Sequence, residues 1–316
     1  MKTELVRLHR TDPAPSKLQI TTDMASQISP NAQPRKIGLV AGWGKLPVKV
    51  AKALVAQGFE VHCTAIKDHA DPILAEICTS YQVFGMGRMG AQTKFLQRAG
   101  VTQATMAGKI FKILLFKSKL GLIKHRPDFT FFRHFYPIIF LKTKDRRDDT
   151  LLGAIVDLYA SKGIKFAPPT DFAPELLVKQ GALTQNPPTP AQLRDIKFGW
   201  QMAKEMGRLD IGQTVVVKNQ AVMAIEAIEG TDECIKRAGS LCGRGFTVVK
   251  VAKPNQDMRF DVPTIGVGTI ETIAQSGGTV LAIEADQTIL LEQAETIAAA
   301  EKLGVAVFAF YSSDLE

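Results

Sequence analysis

The stretch KIGLVAGWGKLPVKVAKALVAQGFEVHCTAI (residues 36–66) decides the fold of this chain. Its pattern predicts a buried strand over 36–41, a glycine-containing loop over 42–47, a helix over 48–57 and a second strand over 59–66. A strand, a helix and a second parallel strand are joined by a right-handed crossover in α/β sheets. The stretch therefore predicts the opening of a Rossmann-like, doubly wound α/β domain.

The rest of the chain continues to alternate helices and strands. At 316 residues it exceeds the usual size of one hydrophobic core, which favours two domains. The proline-rich stretch NPPTP at 186–190 indicates a linker region between them. We predict a flexible extension over 1–34, a Rossmann-like domain over 35–166, a linker region over 167–190 and a carboxy-terminal catalytic mixed α/β domain over 191–312.

The second half of the chain shows its own succession of elements. Apolar periodicity and turn residues predict helices over 190–209, 231–238, 269–276 and 290–303. Two strands from Thr214 onward are joined at 218–220 like a hairpin, and further strands are predicted near Val248, over 279–284 and over 305–310. These elements predict a second mixed α/β domain, and no repeat of fixed period accompanies them.

Composition restricts the class of protein and of ligand. Hydrophobic residues make up 46% and charged residues 22%, as in soluble globular proteins, and no apolar stretch approaches the roughly 20 residues of a membrane-crossing helix. The first residues lack the apolar segment of a secretory signal, so we expect a cytoplasmic protein. The net charge of +8 favours an anionic partner, namely a phosphate-bearing ligand, nucleic acid or an anionic membrane surface.

Cysteine and histidine spacing argues against some kinds of site. The four cysteines form no CxxC pair and the five histidines form no HExxH pattern, so zinc and disulfides are not expected. No recognised DNA- or RNA-binding motif accompanies the positive charge, so nucleic acid is not expected as a partner.

The glycine loop after the first strand is a candidate ligand site. Backbone N–H groups of Gly42, Trp43 and Gly44 precede a helix, where a phosphate or carboxylate can bind. The dinucleotide-binding fingerprint GxGxxG is incomplete, because Pro47 replaces its third glycine. In addition, Lys67 stands where a ribose-binding acid would be expected. A tight structural turn and a ligand loop both fit this pattern, and the indole between two glycines favours ligand contact.

Two further segments offer candidate substrate-binding residues in the first domain. Gly108 and Lys109 end a predicted strand, so they lie at the carboxyl edge of the sheet, where α/β folds bind ligands. A solvated lysine is the alternative. Asp148 and Asp149 precede a predicted helix, where either could bind substrate or merely cap the helix.

Residues 109–144 are dense in lysine, arginine and phenylalanine, with Asp128 as their one acid. Interleaved basic and aromatic residues suit a membrane surface or an acyl chain. A partly buried helix and strand with solvent-reaching lysines is the competing interpretation.

Two groups of charged residues in the second domain are candidates for phosphoryl-transfer chemistry. The first group follows the strand near Val248 and consists of Lys253, Asp257, Arg259 and Asp261. The second group lies upstream of that strand and consists of Glu226, Glu229 and Asp232. Carboxylates can hold a divalent cation while lysine and arginine bind phosphate oxygens. An arginine–aspartate pair that locks the loop, and a helix cap, are the structural alternatives.

Taken together, these segments resemble the UDP-2,3-diacylglucosamine pyrophosphatase family of lipid A synthesis, in the form unrelated to calcineurin-like metallophosphoesterases. The resemblance runs from about Lys36 to Phe310. Its blocks, in order, are IGLVAGWGKLP, MAGK, RRDDTLLGAI, DIGQTVVVKNQAVMAIEAIEGTDE and VKVAKPNQDMRFDVPTIG. The long blocks are specific, whereas AGWG alone is weak, and the extension over 1–34 departs from the family's short amino terminus.

The resemblance implies an enzyme that hydrolyses UDP-2,3-diacylglucosamine to UMP and 2,3-diacylglucosamine 1-phosphate with Mg²⁺. It implies a Rossmann-like domain beside a second domain of unusual fold, with the lipid between them. It further implies a homodimer in the cytoplasm, in transient contact with the cytoplasmic face of the inner membrane. The family's essential aspartate falls on Asp257, and the family-like blocks add Gln213 and Thr231 as substrate-binding candidates.

From this combination we expect Asp257 to hold or orient Mg²⁺ and the attacking water. Lys253 and Arg259 would offset negative charge on phosphate oxygens. The candidate further metal ligands are Asp261, Glu226, Glu229 and Asp232. A nicotinamide-dependent oxidoreductase and a non-catalytic lipid- or nucleotide-binding protein are the competing classes.

Overall fold

The computed structural model describes residues 35–109, 127–139 and 148–315, and gives only the backbone for 136–139 and 148–151. Its first sheet has five parallel strands: β1 (Arg35–Ala41), β2 (Phe59–Ile66), β3 (Ser80–Phe84), β4 (Gln103–Ala107) and β5 (Lys165–Phe166). Their order is β3-β2-β1-β4-β5. The strand order reverses between β1 and β4, which is the position where doubly wound sheets bind ligands. The predicted Rossmann-like α/β class is confirmed.

Helices cover both faces of this first sheet. They are α1 (Leu46–Ala56), α2 (Leu74–Ile77), α3 (Met89–Arg98), α4 (Phe129–Ile139) and α5 (Asp148–Ala160). Alternate residues of β1 enter different cores, since Leu39 packs with Leu54 of α1 whereas Val40 packs with Leu96 of α3. Alternation of side chains across a strand therefore gives each face its own apolar layer.

The second sheet is mixed. Its strands are β6 (Gly181–Ala182), β7 (Thr214–Lys218), β8 (Ala221–Ile225), β9 (Phe246–Lys250), β11 (Gly278–Glu284) and β13 (Ala306–Phe310), in the order β6-β13-β11-β9-β7-β8. Strands β9, β11 and β13 are parallel, whereas β6 and β7 run antiparallel to their neighbours in this sheet. A separate parallel pair is formed by β10 (Thr264–Ile265) and β12 (Ile289–Leu290).

Four helices of the described residues accompany this second sheet. They are α6 (Pro190–Arg208), α7 (Thr231–Cys242), α8 (Val267–Ser276) and α9 (Gln293–Leu303). Ile196 of α6 packs on one face of the sheet with Val215 and Val249, and Ile235 of α7 packs on the other face with Val248. In the part of the chain that the structure describes, no helix combines the length and apolarity needed to cross a membrane.

Most predicted elements lie within a few residues of the observed ones, and the exceptions have local causes. Leu290, predicted to begin a helix, instead forms β12 with Ile289. The helix starts only at Gln293 because Glu292 has a left-handed backbone, with φ 46°. Strands β3, β5, β6 and β10 and helices α2 and α4 are additional to the predicted elements. The predicted domain boundaries stay a prediction, since residues from Arg35 onward form one compact unit.

Candidate functional site

The loops after β1 and β4 pair with each other at the carboxyl edge of the first sheet. Gly42 donates its N–H to Ala107 O at 2.8 Å. Trp43 and Lys109 exchange two backbone hydrogen bonds of 2.8 and 2.9 Å. Gly108 has φ 90°, which favours glycine. The structure thus brings the predicted glycine loop and the predicted Gly108–Lys109 pair together.

This paired loop reaches the second half of the molecule. Trp43 is 51% exposed, and the Lys109 side chain is also exposed. Lys45 forms an ion pair of 2.7 Å with Glu292, which precedes α9. The carboxyl edge of the first sheet therefore lies beside elements of the second.

A corner of the second sheet gathers several predicted site residues. Thr214 lies opposite Lys250 in the register of β7 and β9. Glu226 donates its N–H to Thr214 O at 2.8 Å, and Val251 donates its N–H to Gln213 O at 3.0 Å. Because β7 runs antiparallel to β8 and β9, its amino end meets the carboxyl ends of both.

Side chains at this corner form a hydrogen-bonded chain. The Lys250 ammonium donates to Thr231 Oγ1 at 2.6 Å, and the Thr231 hydroxyl donates to Glu226 Oε1 at 3.0 Å. Thr231 is the first residue of α7. Within the described residues, Glu226 Oε2 and Gln213 Oε1 are buried without a hydrogen-bond partner. The corner thus has unused acceptor oxygens.

Lys250 is a functional candidate that sequence reasoning missed. Burial lowers its pKa, the carboxylates of Glu226, Asp261 and Asp232 raise it, and the positive charge of Lys109 lowers it. The acids belong to the second half of the chain, whereas Lys109 lies at the edge of the first sheet. Charges from both halves thus act on the Lys250 ammonium. The available signal was a lysine ending the apolar strand FTVVK, a position where a charge is rarely buried without a reason.

Asp257 and Arg259 form a bidentate ion pair inside the charged loop. Arg259 Nε lies 2.8 Å from Asp257 Oδ1, and Nη2 lies 2.5 Å from Oδ2. This hydrogen-bonded guanidinium lowers the pKa of Asp257, whereas Asp257 raises the pKa of Arg259. The geometry matches the structural alternative, an arginine–aspartate pair that holds the loop.

The Asp257 pair leads to a prediction about pH. A carboxyl with a lowered pKa contributes stability that is present above its ordinary value of 3.8 and is lost as pH falls through its folded pKa. Asp257→Asn should therefore reduce the unfolding free energy at pH 6 by less than about 1 kcal/mol, because the pair is partly exposed. The deficit relative to the unmodified protein should shrink near pH 3. Urea unfolding at both pH values measures it, and a deficit that grows in acid would contradict the prediction.

The charged loop also contacts the first domain. Phe260 packs against the apolar cluster that includes Val156 and Tyr159 of α5. Asp261 accepts a hydrogen bond of 2.6 Å from Gln256 Nε2. The loop that carries the predicted catalytic residues therefore spans from the second sheet to the first domain.

Lys253 and the start of this loop are held by separate ion pairs. Lys253 Nζ lies 2.7 Å from Asp210 Oδ1. Just before it, Ala252 N–H donates to Glu284 Oε2 at 2.8 Å, and Lys204 donates to Ala252 O at 2.8 Å. These contacts fix the position at which the loop leaves β9.

The five predicted metal ligands do not form one cluster. Mg²⁺ requires several oxygen ligands in near-octahedral geometry. Among the described residues, no three histidine, cysteine, aspartate or glutamate side chains are grouped to hold a metal ion. Asp257 is paired with Arg259, and Glu229 lies 2.7 Å from Arg237. Asp232 accepts a hydrogen bond of 3.1 Å from Thr269. The donor set as folded therefore does not fit a preassembled magnesium centre.

Some predicted site residues lie at or beyond the limits of the residues that the structure describes. Asp148 and Asp149 begin α5, but their side chains lie outside the described residues. Most of the basic and aromatic segment over 109–144 also lies outside them. Its described part includes α4, where Phe129 is 78% and Phe132 is 48% exposed.

Family models and a known relative of the same family match most of the chain. The model of the LpxI N-terminal domain matches residues 36–176, and that of the LpxI C-terminal domain matches residues 179–308. The UDP-2,3-diacylglucosamine pyrophosphatase LpxI of Caulobacter vibrioides is 32% identical over 281 residues, which cover 86% of this chain and 96% of that protein. A solved structure, CobK precorrin-6A reductase, aligns over 87% of both chains with 14% identity and a TM-score of 0.30, too low to support an argument.

Proposed function

This chain belongs to the LpxI family, and from that membership we propose that it hydrolyses the pyrophosphate bond of UDP-2,3-diacylglucosamine in lipid A synthesis. The products would be UMP and 2,3-diacylglucosamine 1-phosphate. The observation that supports the proposal is the Lys45–Glu292 ion pair, which joins the edge of the first sheet to the second half, together with the electrostatic effect of Lys109 on the buried Lys250. A diphosphate between the two halves would meet groups from both.

The chemistry of the reaction suits this arrangement. Water forms a bond to one phosphorus while the bond from that phosphorus to the bridging oxygen breaks, so one phosphate monoester leaves. Negative charge on the phosphate oxygens is best offset by fixed cations in a site that excludes water. Lys109 is exposed at the sheet edge and can approach those oxygens, while Asp232 and Asp261 can accept hydrogen bonds from the attacking water.

Asp257 is proposed to act at the same site through its loop. Its lowered pKa keeps the carboxylate ionised at neutral pH, so it does not serve as a general acid. While Arg259 holds both oxygens, Asp257 fixes the loop, and release of that pair would let Asp257 meet the substrate and Arg259 meet phosphate oxygens. Lys253 is proposed as a further phosphate-facing cation on this loop.

Mg²⁺, the inner membrane and a second copy of the chain are further parts of the proposal. A bound Mg²⁺ would neutralise phosphate oxygens, although the acids of the described residues do not form a ready centre for it. The exposed Phe129 and Phe132 of α4 support a transient contact with the cytoplasmic membrane surface, where the lipid substrate resides. We also propose a cytoplasmic enzyme that forms a homodimer.

The test compares Asp257→Ala with Arg259→Met in an assay of UMP release from UDP-2,3-diacylglucosamine with Mg²⁺. If Asp257 meets the substrate, its loss should lower kcat by about 100-fold or more, in the range found for loss of a general base. Loss of Arg259 should have a smaller effect. Equal effects of the two variants would assign Asp257 to loop structure alone.

The unmodified protein decides between the proposed reaction and its competitors. Binding of intact UDP-2,3-diacylglucosamine without UMP release, under every divalent cation supplied, would indicate a non-catalytic binding protein. Saturable micromolar binding of NAD(H) or NADP(H), followed by fluorescence, would indicate the oxidoreductase.

A further inference from the structure

Lys250 is a buried lysine with few hydrogen-bond acceptors among the described residues. The residue is 5% exposed, and its ammonium has three N–H donors. One hydrogen bond to a described residue uses one of them, the bond of 2.6 Å to Thr231 Oγ1. Buried lysines are rare unless they are paired with a carboxylate or satisfied by several acceptors. The cost of burying its charge must therefore be offset by nearby carboxylates.

The compensation comes from carboxylates around it. Glu226 is 9% exposed, and its Oε1 is linked to the ammonium through Thr231, while its Oε2 has no hydrogen-bond partner among the described residues. Asp232 and Asp261 also act electrostatically on Lys250. The Lys250 ammonium is thus linked by hydrogen bonds to one carboxylate and acts electrostatically on two others.

This placement bears on the missing metal centre. A divalent cation at this corner would need the oxygens of Glu226, and it would be repelled by the ammonium that already lies beside them. We propose that the Lys250 ammonium is the resident cation of the Glu226 carboxylate, to which it is linked through Thr231 Oγ1. In the free protein no divalent cation shares this carboxylate, and one joins the site only with an anionic ligand that brings its own oxygens. The inference rests on the proposed function only for the identity of that ligand.

The experiment is a titration with Mn²⁺ alone, followed by the electron paramagnetic resonance signal of the free ion. The unmodified protein should leave that signal unchanged at equimolar metal. Lys250→Met removes the charge and keeps an unbranched side chain, so it should bind one Mn²⁺ about tenfold or more tightly than the unmodified protein. Adding Glu226→Gln to Lys250→Met should reverse the gain.

The control is Lys179→Met, which removes a surface lysine that lies 2.6 Å from the carboxylate of Asp286. It should gain no metal binding. A role for Lys250 in structure alone predicts loss of stability in Lys250→Met but no new metal site, and absence of the gain in a folded variant overturns the proposal.

The unmodified protein gives an independent measurement if Lys250→Met does not fold. One equivalent of Mn²⁺ bound tightly without nucleotide, and lost in Glu226→Gln, overturns the proposal. Metal binding that appears only when UDP is added supports it. These titrations need no turnover, so a chain that fails to hydrolyse the lipid nucleotide yet gains metal in Lys250→Met would refute the proposed function and leave the inference standing.

Discussion

Replacing Glu284 with alanine should lower the free energy of unfolding by about 3–5 kcal/mol, the usual cost of leaving a buried charge without its partner. The Glu284 side chain is 7% exposed and lies 2.7 Å from the Lys204 ammonium. It also accepts hydrogen bonds from Trp200 Nε1 and Ala252 N–H. The alanine variant would leave the lysine, the indole N–H and the backbone N–H without this acceptor at once.

Chemical unfolding followed by circular dichroism measures this effect. Glu205→Ala is the control on the same helix as Lys204, because Glu205 pairs with Arg208 at the surface and should cost less than about 1 kcal/mol. The double variant Lys204→Met/Glu284→Leu removes both charges and should recover much of the lost stability. If Glu284→Ala costs no more than Glu205→Ala, the pair does not anchor the fold.

The same variant should also disturb function through the loop. Ala252 is held by Glu284 and Lys204 directly before Lys253, so the start of the charged loop depends on this ion pair. Activity should fall in Glu284→Ala even under conditions where the protein remains folded. Glu284 therefore positions the loop and need not touch the substrate.

Much of the architecture is predictable because its cause is local. The predicted strand over 59–66 has the observed bounds, since apolar residues alternate with polar ones along most of it and glycine precedes it. The prediction for helix α6 agrees to within one residue, because Thr189 and Gln192 form a capping box at its start. The pairing of the β1 and β4 loops follows from parallel strands ending at one edge.

The site is less predictable because spacing alone does not show which partner each side chain contacts. Spacing groups Asp257 with Glu226 and Glu229 as metal ligands, yet each side chain contacts a cation or a hydroxyl nearby in the chain, and for Asp257 this is the arginine of the structural alternative. Glu229 pairs with Arg237 on the following helix, and Glu226 meets Thr231. Lys250 lies at the end of a predicted strand, and only the antiparallel register with β7 shows which residues surround it.

Gly108→Ala should have the second large effect, through the loop that carries Lys109. A Cβ at this position would lie 2.8 Å from both Pro47 Cγ and Trp43 O, and the backbone has φ 90°. Left-handed strain costs about 1–3 kcal/mol for a residue with a side chain, and the clash adds to it.

Gly44→Ala separates strain from the clash with Pro47 and Trp43, since Gly44 has φ 104° but a methyl group added there would meet no atom within 4 Å. We expect Gly108→Ala to lose more unfolding free energy than Gly44→Ala. We also expect it to lose more UMP release, because Lys109 is carried by the backbone pair with Trp43. Urea unfolding and the hydrolysis assay measure both. Equal losses in the two variants would mean that the backbone strain alone matters, and that the close approach of the two loops does not set the position of Lys109.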